Sequence, residues 1–177
     1  MKRFMSLLLL VPLLLFSCDK IEDANTIDFD TNMDMYIDVG VEGNTAVLVK
    51  SAADYTFSES GYASLYDNSD LWDYLDHIKS IEVDNLEIMF YGLESGAQIN
   101  SITLSVSGVG DIVTLQNITS ANSTQHPTIS SSVLTQLANH LINNLEITAT
   151  VSGTTDTGPM WFGINISYDL LVKVKAV

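Results

Sequence analysis

The stretch MWFGINISYDLLVKVKA, residues 160–176, places an apolar side chain at every even position: Met160, Phe162, Ile164, Ile166, Tyr168, Leu170, Val172, Val174 and Ala176. The odd positions include Gly163, Asn165, Ser167, Asp169, Lys173 and Lys175. Side chains alternate between the two faces of a β-strand, so period two kept over the whole tail predicts a strand with one buried and one wet face. Leu145, Ile147, Ala149 and Val151 alternate in the same way with Glu146, Thr148, Thr150 and Ser152, and residues 153–159 supply Thr, Asp, Gly and Pro for a turn. The two segments are expected to form an antiparallel hairpin with a long loop.

Runs of the same kind occur at Met33, Met35, Ile37 and Val39, at residues 46–49, at Leu86, Ile88 and Phe90, at Ile102, Leu104 and Val106, and around residues 112–118. About seven strands with one wet face each predict an all-β protein, an antiparallel β-sandwich of the immunoglobulin-like kind. Two segments break the rhythm. Asn68 or Ser69 can cap a helix through Ser80 with Leu71, Leu75 and Ile78 on one stripe. Ser131 or Ser132 can cap another through Asn143, with Leu134, Leu137, Ala138, Leu141 and Ile142 on its apolar face. Both short helices are expected to plug an open end or cover an edge of the sandwich.

The chain has 177 residues and a formal net charge of -15, and its ends are unlike each other. Residues 1–17 open with Lys2 and Arg3 and continue through the apolar run 7–16, which is too short for a spanning helix of about 20 apolar residues. This is the pattern of a secretory signal peptide. It ends Leu15, Phe16, Ser17, Cys18, and Cys18 is the only cysteine. The sequence resembles the lipobox of bacterial lipoproteins. That resemblance implies a diacylglycerol on the Cys18 thiol, cleavage just before it, and a further acyl chain such as palmitate on the new amino terminus. Each buried methylene contributes about 0.8 kcal/mol, so two or three chains hold a protein durably where one does not. The expected organisation is a signal at 1–17, a lipidated tether at 18–25 and the sandwich at 26–177. Cys18 is then an anchor and not a nucleophile, and the mature domain must stand on its hydrophobic core without a disulfide.

Loss of Lys2 and Arg3 leaves five lysines, no arginine and all 22 acids, a net charge of -17. Residues 19–94 hold 18 of the acids against three lysines, whereas residues 95–177 hold only Asp111, Glu146, Asp156 and Asp169 against two. Nucleic acid is therefore not an expected partner, since phosphates need clustered Lys and Arg. An electrostatic grip on anionic lipid is not expected for the same reason, which leaves the anchor at Cys18 as the expected route to a membrane.

Beyond the lipobox, LDHIKSIE at 75–82, LTQLANHL at 134–141 and a Val-Ser-Gly turn at 151–153 make the mature region resemble a family of small exported lipoproteins of the Bacteroidota. The family brings no known activity. In that group Asp19, Lys20, Glu22 and Asp23 after Cys18 resemble the acidic tag that sends lipoproteins to the outer surface. An Asp directly after the cysteine also resembles the inner-membrane retention signal of other bacteria. The outer membrane is the expected address, with its face left open.

Few residues invite chemistry. Asp28, Asp30, Asn32 and Asp34 are spaced by two, which on a strand puts four oxygen donors on one face, and calcium takes oxygen ligands. An EF-hand loop would need Gly where Met33 stands and a Glu much further on, a flat strand splays carboxylates apart, and a solvated outer face accounts for the pattern better. Asp67, Asp70, Asp73 and Asp76 suit the positive end of the first helix. Asp73 and His77 lie four apart and would share a helical face. No Gly-x-Ser-x-Gly, His-Glu-x-x-His or second cysteine is present, so no enzyme is expected. Ser101, Thr103, Ser105, Ser107, Thr148, Thr150, Asn165 and Ser167 form a neutral outward set with Trp161. Trp161 and Asn165 are thus candidate glycan-binding residues, an aromatic platform beside an amide. The sequence supports a structural or protein-interaction lipoprotein, with a glycan-binding module or a calcium-dependent adhesin as alternatives.

Overall fold

The computed structural model describes residues 25–42 and 55–176. The signal peptide, Cys18, residues 18–24 of the tether and the strand expected at 46–49 lie outside them. The chain runs β1 (Thr26–Val41), β2 (Tyr55–Ser64), β3 (Ile78–Tyr91), β4 (Gln98–Val106), β5 (Gly110–Thr119), β6 (Thr124–Gln125), α1 (Ser131–Asn144), β7 (Glu146–Thr155) and β8 (Met160–Lys175). Two four-stranded antiparallel sheets form, in the orders β1-β8-β3-β6 and β2-β7-β4-β5. The protein is an all-β sandwich.

The alternation of the tail is carried over intact. Every even position of β8 from Met160 to Val174 is buried, and β1 pairs with it without a break from Thr26↔Lys175 to Val41↔Met160. The sheets meet through such residues. Phe57 of β2 contacts Phe162 of β8 edge to face, with ring centroids 5.5 Å apart. Ile88, Phe90, Ile102, Leu104, Ile164 and Ile166 line an apolar gap between the sheets of about 10 Å³, close to the size of a single water. The gap is too small for a ligand.

β7 and β8 do not form the expected hairpin. Each is an interior strand of a different sheet, β7 between β2 and β4 and β8 between β1 and β3. Period two reports which face of a strand is buried; it carries no information about the neighbour. The Val151-Ser152-Gly153 segment is likewise no turn, because β7 continues to Thr155 and the crossing between sheets occupies residues 156–159. Thr155 Oγ1 donates to the Thr157 carbonyl at 2.7 Å and the Gln98 N–H donates to Asp156 Oδ1 at 2.9 Å, which holds the crossing against the start of β4.

Only one of the two expected helices is an α-helix. α1 is capped by Ser130, whose Oγ accepts from the Val133 N–H at 3.4 Å, and it buries Leu137, Ala138 and Leu141 as its stripe requires. It ends at Leu145, a residue in the left-handed region at φ 59° whose N–H returns to the Leu141 carbonyl at 2.8 Å. In place of a first helix through Ser80 there is a 3-10 turn at Trp72–His77, with another, Leu65–Asp67, just before the expected cap. Ile78 and Ser80 have already joined β3, opposite Val174 and Lys173. Sheet hydrogen bonds to a long, buried partner strand outweigh a three-turn helix that offers only Leu71, Leu75 and Ile78 for burial. In a 3-10 turn residues three apart eclipse, so Asp73 lies over Asp76 and not over His77.

Candidate functional site

The charge asymmetry along the sequence becomes an asymmetry between the two faces of the sandwich. β1 turns its odd residues from Met33 inward, and Asp28, Asp30, Asn32, Asp34, Tyr36 and Asp38 stand outward in one column. β8 sets Trp161, Gly163, Asn165, Ser167 and Asp169 beside them, and β3 adds Glu82, Asn85, Glu87, Met89 and Tyr91. The opposite sheet is almost without charge. Its rows run Thr56, Thr154, Ser101, Gln116 and then Ser58, Ser152, Thr103, Thr114, with Ser60 and Thr150 sharing a hydroxyl hydrogen bond of 2.8 Å.

Two expectations therefore separate. Trp161, Asn165 and Ser167 do share an outer face, but Ser101, Thr103, Ser105, Thr148 and Thr150 belong to the other one. A single neutral platform around Trp161 does not exist, because β8 and its apparent partner β7 are in different sheets. What surrounds Trp161 is acidic and aromatic.

The calcium candidates stand as the spacing places them, on one face and exposed. Successive same-face residues of a strand are about 6.6 to 6.8 Å apart, whereas calcium needs oxygens at about 2.3 to 2.6 Å from one point. Asn32 Nδ2 donates to Asp34 Oδ2 at 3.2 Å, and Asp28 lies opposite Lys173. Among the described residues no group of three acidic, histidine or cysteine side chains converges as a metal site would.

The far end of β1 and β8 carries the most distinctive surface. Trp161 is 76% exposed, Tyr36 57% and Tyr91 42%, three of the six aromatic rings exposed among the described residues; Tyr62, Tyr66 and Trp72 are the others. Register puts Gly40 beside Trp161, Asp38 and Tyr91 on either side of Gly163, and Tyr36 and Met89 on either side of Asn165. The glycines let the rings lie down. A Cβ on Gly40 would stand 2.9 Å from two atoms of the indole, and one on Gly163 would run into the Tyr36 phenol. The pKa of Tyr36 is pushed up, first by local desolvation, then by the nearby Asp38 carboxylate, and last by Tyr91. Beside the rings, Asp38, Gly40, Glu42, Glu59, Pro159 and Trp161 line an open cleft of about 530 Å³.

Sequence reading found Trp161 and Asn165 and missed Tyr36, Tyr91 and Asp38. A signal was available in Tyr36, a large aromatic at an outward position of a strand otherwise studded with aspartates. The histidines do not gather: His77 ends a 3-10 turn, His140 lies on α1, and His126 Nδ1 stands 3.5 Å from Glu87 Oε2 at the surface. Compared with known proteins, the chain matches no family description, no curated protein and no solved structure.

Proposed function

We propose that this chain is a lipid-anchored protein of the cell envelope, held in the outer membrane through Cys18, and that it works as a structural or protein-interaction module. The observation that carries the reading is the lone Cys18 directly after an apolar segment with Lys2 and Arg3 at its head. The sandwich supports it geometrically. β1 begins at Thr26, eight residues after Cys18, and runs 16 residues to Val41 beside Met160. At about 3.4 Å per residue the ladder is roughly 50 Å long, so the aromatic end stands far from the anchored end, where a partner has access to it. Lys173 and Lys175 are at the anchored end.

Replacing Cys18 tests the reading. Cys18→Ala should move the protein from the membrane fraction to the soluble one and abolish incorporation of labelled palmitate, and unchanged membrane retention refutes the anchor. A glycan-binding role is the alternative that the flat rings of Trp161 and Tyr36 favour, since sugar faces stack on aromatic platforms.

A further inference from the structure

The aromatic end of the acidic face has a chemistry of its own. Three adjacent rows across β1, β8 and β3 read Asp34, Ser167, Glu87, then Tyr36, Asn165, Met89, then Asp38, Gly163, Tyr91. None of these positions is Lys or Arg, and the lysines of β8 lie at the other end of the strand. Trp161 follows in the next row, and Glu42 and Glu59 stand with it in the cleft. An aromatic face presents negative potential to whatever covers it, and neighbouring carboxylates add to that field. A neutral partner would desolvate those carboxylates without compensation, and an anionic partner would be repelled.

We infer that the Tyr36 and Trp161 end of this face docks a basic protein segment, with a partner arginine laid on the rings and paired to Asp38. Arginine suits the site better than lysine because its planar guanidinium stacks on a ring while its edge donates to a carboxylate. The inference rests on the interaction-module reading and names the class of partner.

Fluorescein-labelled octa-arginine titrated into the full-length protein in detergent provides the test. Trp161→Ala and Tyr36→Ala leave the net charge unchanged, and each should weaken binding about tenfold or more, as removal of a central interface residue does. Asp38→Asn should weaken it and flatten its salt dependence, while Ser58→Ala on the opposite sheet should change nothing. All the substituted side chains are on the outer faces, and a thermal melt confirms that each variant folds. Wild-type affinity in both aromatic variants would mean that net charge alone attracts the peptide, and the inference falls. Salt-independent binding of a neutral oligosaccharide that is lost in Trp161→Ala, with no aromatic effect on the peptide, would assign the surface to glycans instead. The anchor is decided separately: a Cys18→Ala protein that stays with membranes refutes the anchor and leaves the titration untouched, whereas aromatic variants without effect and an intact anchor refute the docking surface alone.

Discussion

The indole of Trp161 lies against Gly40 of the neighbouring strand, so close that a Cβ there would stand 2.9 Å from its Cη2 and Cζ3 atoms. The platform at the end of the acidic face thus depends on a residue with no side chain. Gly40→Ala should lift the indole off the sheet, shifting its emission to the red and raising its accessibility to a neutral quencher. The site is superficial and the ring can swing outward, so the cost in stability should be about 1 kcal/mol or less. An unchanged spectrum would show that the ring is not seated there.

Gly153 makes a contrasting case. A Cβ there would stand 2.7 Å from Cζ of Phe57 and 3.0 Å from Cα of Ile102, in the interior and against the backbone of β4. Backbone cannot step aside as a surface ring can. Gly153→Ala should cost about 1 to 3 kcal/mol in chemical denaturation, the range for an overpacked core, and a neutral result would mean that the two strands have more slack than their register implies.

Tyr168 is fully buried in β8, and its hydroxyl has no hydrogen-bond partner among the described residues. An unsatisfied buried hydroxyl costs about 1 to 3 kcal/mol, so Tyr168→Phe should leave stability unchanged or raise it. Burial also holds the phenol protonated far above its ordinary range. In the unfolded chain the same group ionises near pH 10, as any tyrosine does. Above that pH the unfolded state has released a proton that the folded state keeps, so stability falls as pH rises further. Denaturation midpoints measured across this alkaline range should fall less steeply in Tyr168→Phe than in the wild type. Parallel curves would place the alkaline sensitivity elsewhere.

The acidic column of β1 should not respond to calcium as a built site would. Its carboxylates are spread along a strand instead of gathered round a point, and millimolar calcium should produce no melting-temperature rise that depends on a single aspartate. A rise abolished by Asp30→Asn would overturn this and restore the adhesin alternative.

α1 tests the helix that held. Leu141 is fully buried, and the Leu145 N–H that closes the helix returns to its carbonyl. Leu141→Ala should cost about 2 to 5 kcal/mol, measured by urea unfolding. A smaller loss would indicate that α1 contributes little to the core.

Much of the fold was legible because burial is written along a strand every second residue. β8, β1 and α1 were readable from their own side chains, and so was the sandwich class. The first expected helix failed because its second half had a stronger use: Ile78 and Ser80 are needed opposite Val174 and Lys173. The hairpin failed for a related reason, since the long connection looked like a loop between partners but is a crossing between sheets.

By itself the sequence determined which positions of each strand are wet, that 18 of the 22 acids precede residue 95, and that Trp161 and Asn165 point the same way. Only the tertiary structure decided what stands beside them. Pairing β8 with β1 and β3, not with β7, exchanged a neutral hydroxyl neighbourhood for Tyr36, Asp38 and Tyr91. The physical reason is that alternation is local, a property of one backbone, whereas the neighbour of a strand is chosen by how two whole sheets bury their inner faces against each other.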